Sequence, residues 1–241
     1  MRQKLRLTFA LLSLLLFPIT MNYMSPYLAL AGAALGVISG SVLVFFSLFL
    51  AAMFLGRTWC SWLCPMAGLS EACAWINAKP VNRFLLAKLR NGIFSIWLML
   101  LLILFKWADK KPTIQPLFMT ESIVSIDQPE KFMIYFLVLG VFLVLTISLG
   151  RRAACQGICW MAPFMETGMI LGRRLHLPQK HVRVDQDRCT RCGTCDRVCP
   201  MSIEVTKEII TGVVSTTACI LCGMCVDHCP VHALEIQYRR M

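Results

Sequence analysis

The chain has 241 residues, 57% of them hydrophobic and 15% charged, with a formal net charge of +11 and 13 cysteines. That hydrophobic share exceeds what an ordinary soluble domain carries, and two or more membrane-spanning helices would account for it. The positive charge forms no basic stripe with interleaved aromatics, which argues against a nucleic-acid reader.

Arg2, Lys4 and Arg6 precede the first apolar run, residues 5–24. Its basic start also fits a signal peptide, with a cleavage-like Ala29-Leu30-Ala31, but a second apolar run follows at once and favours a retained transmembrane helix. Residues 25–40 are rich in small side chains and interrupted by Pro26, which suits a short interfacial or re-entrant helix on the outer side. Residues 41–55 read as a second span, with Ser39, Gly40 and Ser41 as capping candidates. A third, 93–107, ends at Lys106 and Trp107. The polar stretch 108–130 forms the external connection to a fourth, 131–149.

Arg57, Lys79, Arg83, Lys88 and Arg90 lie between the second and third spans, and Arg151, Arg152, Arg173, Arg174, Lys180 and Arg183 follow the fourth. All these clusters fall on one side. The positive-inside rule makes that side cytoplasmic, with both termini there, in the inner membrane of a cell, and the clusters suit anionic lipid. Thiols stay reduced in that compartment, so metal ligation is favoured over disulfides.

Beyond residue 184, Cys189-x-x-Cys192-x-x-Cys195-x-x-x-Cys199-Pro200 is repeated as Cys219-x-x-Cys222-x-x-Cys225-x-x-x-Cys229-Pro230. This is the bacterial dicluster ferredoxin run, in which the fourth cysteine ligates the other cluster. Cys189, Cys192, Cys195 and Cys229 are expected on one [4Fe–4S] cluster, and Cys219, Cys222, Cys225 and Cys199 on the other. Gly193 and Gly223 follow the second cysteine of each run, where a missing Cβ admits the backbone close to the cluster. Residues 203–205 and 212–214 read as short strands and residues 233–236 as the closing strand.

The expected architecture is therefore a membrane α-helical domain of four transmembrane helices in two pseudo-repeated pairs (1–160). A basic linker follows (161–184), then a small α+β dicluster ferredoxin domain (185–241).

Within the membrane part, Gly56-Arg57 with Cys60 and Cys64 is echoed by Gly150-Arg151 with Cys155 and Cys159. Parallel halves of this kind imply a pseudo-two-fold axis along the membrane normal that brings the two Cys-x-x-x-Cys pairs face to face. Arg57, Trp59 and Trp62 read as interfacial anchors. The four cysteines are candidates for a third [4Fe–4S] cluster, for a reversible dithiol–disulfide or another metal site, or for plain interface packing. Cys73 is the cysteine left over and receives no role.

GRTWCSWLCPMAG, the span count and the C-terminal ferredoxin run together resemble the NapH-like membrane ferredoxin-type proteins, with NosR-like and CcoG-like proteins as larger relatives. The resemblance covers nearly the whole chain, although Trp160 stands after Cys159 where the family has proline. It implies membrane quinol oxidation or a related electron relay to a redox partner protein or reductase subunit. Quinol would bind near Arg57, Trp59 and Trp62 or, on the outer side, near Lys106 and Asp109. The alternative is a cytoplasmic-side copper reductase or metalloprotein maturation factor, which soft or imidazole ligands in the external segment would favour. The four histidines, His176, His181, His228 and His232, all follow the last span, which excludes a membrane b-type haem. His228 and His232 flank Cys229 and are read as shielding or tuning a cluster.

Overall fold

The computed structural model describes residues 1–74, 76–108, 112–120, 124–126 and 129–240. Helix α1 (Arg2–Leu15) is separated from α2 (Phe17–Thr20) by a turn at Leu16, because Pro18 has no N–H to continue the ladder. Pro26 opens α3 (Pro26–Ala34), which the Ser25 hydroxyl caps by accepting from the Leu28 N–H. Strand β1 (Val37–Ser39) leads into α4 (Gly40–Leu55), followed by α5 (Trp59–Trp62) and α6 (Pro65–Cys73). Helix α7 (Arg83–Trp107) starts ten residues earlier than the apolar run and places Arg90 in its first turns. Strand β2 (Thr113–Gln115) pairs in parallel with β1. Then come α8 (Pro129–Leu149), α9 (Ala153–Gly157) and α10 (Met161–Arg174).

Among the described residues, α7 and α8 are long and apolar enough to cross a membrane, while α4 is a shorter apolar helix. Helix α8 buries only Thr146 and leaves Phe132, Phe136 and Leu137 exposed. The helices meet through glycines. Gly168 of α10 lies against the Phe49 carbonyl of α4, and one turn on a Cβ at Gly172 would stand 2.6 Å from the Met53 carbonyl. A small-x-x-x-small stripe lets two backbones approach this closely. Gly68 does the same for α6, where a Cβ would come within 2.6 Å of the Ala10 carbonyl of α1.

The expected basic linker, 161–184, is ordered differently. Its first part is α10, packed along α4, and its end is strand β3 (Gln179–Val184). Strand β3 pairs antiparallel with β4 (Leu234–Arg239), the expected closing strand. Alternation of apolar and polar residues in Lys180-His181-Val182-Arg183-Val184 is the signal that basic charge obscured. Between these strands lie α11 (Thr194–Val198), α12 (Val205–Glu208) and α13 (Met224–Asp227). The strand expected at 203–205 is absent: Ile203 and Val205 enter the ferredoxin core from a loop and a helix start. Val213 makes a lone bridge to Arg183.

Candidate iron–sulfur site

Cys60 lies in α5 and Cys64 caps α6; in the second half Cys155 lies in α9 and Cys159 precedes α10. The four thiols come together. Burial raises the Cys64 thiol well above its ordinary value, and Cys60, Cys155 and Cys159 add to the shift. Burial, then Cys155 and Cys60, push Cys159 up to about 12. Thiols crowded out of water resist ionising together, and a bound cation removes that penalty. Among the described residues no group of three or more His, Cys, Asp or Glu side chains converges on a single-ion site. In a cubane each thiolate binds a different iron.

Aligned on the cysteines, the repeat is longer than its Gly-Arg echo. Arg57-x-x-Cys60-x-x-x-Cys64-x-Met66-Ala67-x-x-x-Glu71 matches Arg152-x-x-Cys155-x-x-x-Cys159-x-Met161-Ala162-x-x-x-Glu166. The partner of Arg57 is thus Arg152, not Arg151. One extra residue after Gly150 is absorbed by left-handed backbone at Gly150 (φ +120°) and Arg152 (φ +50°).

These charged residues pair crosswise. Arg57 of the first motif reaches Glu166 of the second at 2.8 Å, and Arg152 of the second reaches Glu71 of the first at 2.6 Å. Each carboxylate takes a further arginine from the helix that begins a half: Arg6 of α1 lies 3.0 Å from Glu71, and Arg90 of α7 lies 2.6 Å from Glu166. All four arginines are at most 4% exposed. Arg57 is therefore a buried ion-pair residue rather than the expected interfacial anchor. Burial opposes ionisation of Glu71, but Arg152 and Arg6 outweigh it and lower the carboxyl to about 2. The Nε–H groups of Arg57 and Arg152 are buried without an acceptor among the described residues, as are the indole N–H groups of Trp59 and Trp62.

The ferredoxin run is also duplicated in its backbone. Arg191 and Leu221, each just before a second cysteine, and Ser202 and His232, each three after a fourth, adopt positive φ. Gly193 and Gly223 do so as well, and each caps a short helix. The Ile203 N–H donates to Cys199 Sγ at 3.4 Å and the Ala233 N–H to Cys229 Sγ at 3.3 Å. Burial raises the Cys225 thiol, with Cys219, Cys222, Cys199 and Cys195 next, and Cys199 lines one small cavity with Cys219, Cys222 and Cys225. Cys189 and Cys195 pack on the core that holds Cys229, while Cys192 is exposed.

Both runs dock on the helical part: Arg151 donates to the Cys199 carbonyl of the first at 3.4 Å, and the second is held by more contacts. Gln3 donates to the Cys222 carbonyl at 3.0 Å, Arg57 to the Thr217 carbonyl at 3.4 Å, and Arg2 pairs with Asp227 at 2.5 Å. Cys60 packs against both the helical core and the ferredoxin core.

The remaining candidates have smaller parts. His181 is buried with Nδ1 2.9 Å from the Gln179 carbonyl, and His228 and His232 are exposed. Cys73 is buried at the end of α6 and Lys106 is exposed near the end of α7. Asp109 lies outside the described residues.

Two cysteine pairs beside a duplicated ferredoxin run define an iron–sulfur electron-transport protein. Residues 181–230 match the 4Fe-4S dicluster domain, and residues 37–83 and 131–178 each match a 4Fe-4S binding domain. The chain is a NapH-like ferredoxin-type protein and carries [4Fe–4S] clusters. It is 23% identical to the ferredoxin-type protein NapH of Haemophilus influenzae, over 86% of this chain and 69% of that one. It is 26% identical to YccM of Escherichia coli, whose provisional name is electron transport protein, over 85% of this chain and 57% of that one. It is also 26% identical to the methylamine utilization ferredoxin-type protein MauN of Methylobacillus flagellatus, over 61% of this chain and 50% of that one. The chain thus spans between half and about two thirds of these relatives. No solved structure matches it.

Proposed function

We propose that the chain is a multi-pass protein of the cytoplasmic membrane that relays electrons between the quinone pool and a partner redox protein. The observation that carries this reading is Cys60, whose packing in both cores makes the motif cysteines continuous with the docked ferredoxin run. In this reading Cys60, Cys64, Cys155 and Cys159 hold a third [4Fe–4S] cluster, besides those on Cys189, Cys192, Cys195 and Cys229 and on Cys219, Cys222, Cys225 and Cys199. The buried, unpartnered Nε–H groups of Arg57 and Arg152 fit an anionic sulfur-rich group there. When bound, each cluster takes up and gives back one electron, whereas a quinol supplies two electrons and two protons.

The residues divide that work. Burial of Cys64 helps keep water from the site, and the exposure of Cys192 offers a face to the partner. An apolar cavity of about 350 Å³, lined by Phe45, Phe94, Trp97 and Phe164 among others, suits a quinone ring and tail. Phe164 and Thr167 line it, while Met165 between them touches Cys60, with Sδ 3.5 Å from Sγ. The apolar face of α8 supports lipid contact. Helix α4, about 24 Å long, and the α1–α2 pair would complete four spans with both termini cytoplasmic.

Liposomes holding the full chain test this. A menaquinol analogue should bleach the cluster absorbance, or the quinone should reoxidise reduced clusters, and Cys60→Ser should slow the exchange. One observation favours the copper-reductase or maturation reading: the Met165 thioether against Cys60 is a soft ligand pair of the kind Cu(I) takes. Exchange with bound copper but with neither quinone form would establish that reading instead.

A further inference from the structure

The crossed ion pairs hold a charge that the protein does not neutralise. Glu71 faces Arg6 and Arg152, and Glu166 faces Arg57 and Arg90. Each group of three has one arginine more than its carboxylate balances, so two positive charges remain beside the motif cysteines, the one on Arg6, Glu71 and Arg152 lying also against Cys222 of the ferredoxin run. All four guanidiniums are buried, where an unmatched charge is strongly unfavourable. The excess is symmetric, and so is the vacancy in its hydrogen bonding. In both halves the Nε–H that lacks an acceptor belongs to the arginine three residues before the first cysteine.

We infer that the two Arg–Glu–Arg groups form a cationic cradle matched to a centre of two negative charges on Cys60, Cys64, Cys155 and Cys159, with Arg57 and Arg152 donating Nε–H to its sulfurs. This rests on the cluster reading above. Four thiolates on an oxidised [4Fe–4S] core carry that charge; four neutral thiols or two disulfides carry none and leave the cradle unmatched. Reduction adds one more negative charge to a site already surrounded by cations. The cradle therefore makes this centre easier to reduce than the same ligands would be alone. Arg57 and Arg152 act through the sulfurs and are positioning residues.

Redox titration of the full chain in detergent, followed by electron paramagnetic resonance, tests the cradle in both directions. Arg57→Gln and Arg152→Gln should each make the membrane-side centre at least tenfold harder to reduce at a given poise, about 59 mV for a one-electron couple. Glu71→Gln and Glu166→Gln should shift it the opposite way. The couple assigned to Cys189, Cys192, Cys195 and Cys229 should not move. Arg57→Lys keeps the charge and removes the planar Nε donor, so it should shift the centre less than Arg57→Gln and serves where the glutamine variants do not fold. A third couple that moves in neither direction, or in the same direction for Arg→Gln and Glu→Gln, overturns the cradle and spares the cluster reading. Wild-type protein with iron for two clusters only, with or without zinc, overturns both.

Discussion

Arg57, three residues before the first motif cysteine, holds Glu166, seven residues after the last one, at 2.8 Å. The equivalent pair, Arg152 with Glu71, runs the other way. Each cysteine pair is therefore closed by the other half's carboxylate, and the two motifs act as one site.

The carboxylates should matter more for stability than their partial exposure suggests. Glu71→Gln leaves Arg6 and Arg152 facing each other without a counter-ion, and Glu166→Gln does the same to Arg57 and Arg90. Each should cost about 3–5 kcal/mol, the range for breaking a buried pair. Denaturant unfolding of the purified protein in detergent measures it, and the two losses should be similar.

The same pair sets a pH dependence. The folded-state pKa of Glu71 lies below its ordinary value, so its contribution is complete above about pH 4.5 and is lost as pH falls toward about 2. The stability gap between wild type and Glu71→Gln should thus be full at neutral pH and shrink through that window. A gap that grows on acidification would refute the assignment.

Iron analysis separates the cysteine groups. Anaerobically purified protein should contain about twelve iron and twelve sulfide per chain, the content of three cubanes. Cys60→Ser combined with Cys155→Ser should remove about four of each and leave the ferredoxin clusters in place. Equal contents in both proteins would show that the motif cysteines hold no cluster.

The helix crossing is testable by size alone. Gly168→Leu drives a side chain into the Phe49 carbonyl and Gly172→Leu into that of Met53. Either should lower the thermal transition in detergent, whereas Gly140→Leu, where a Cβ meets open space, should not. Gly140→Leu therefore serves as the control.

The proposed orientation rests on the basic clusters and can be tested. With a membrane-impermeant thiol reagent on intact cells, Gln115→Cys in β2 should react and Tyr238→Cys in β4 should react only after permeabilisation. The reverse pattern would invert the topology.

Much of this could be read from the chain. The ferredoxin run was legible because its spacing is dictated by how three thiolates wrap one cluster, and the duplicated positive φ values at Arg191 and Leu221 follow from that wrapping. The crossed pairs were legible in principle. Equal spacing from Arg57 to Cys60 to Glu71 and from Arg152 to Cys155 to Glu166 was present, but Gly56-Arg57 and Gly150-Arg151 drew the alignment one residue out. Arg6 and Arg90 were hidden for another reason: a basic residue ahead of an apolar run looks the same whether it anchors to lipid or turns inward to a carboxylate. Strand β3 was hidden because its basic residues masked the alternation, and its partner β4 lies 50 to 60 residues away.

Crossed pairing also constrains how the protein is made. Glu71 waits for Arg152, 81 residues later, and Arg57 waits for Glu166, 109 residues later. At about 5–20 residues per second that is roughly 4 to 22 s, during which Arg57 lacks its carboxylate and Glu71 has Arg6 alone. A chain that stops before residue 152 never acquires the crossed pairs. The first motif therefore gains its cross-half ion pairs only once the second motif has been made.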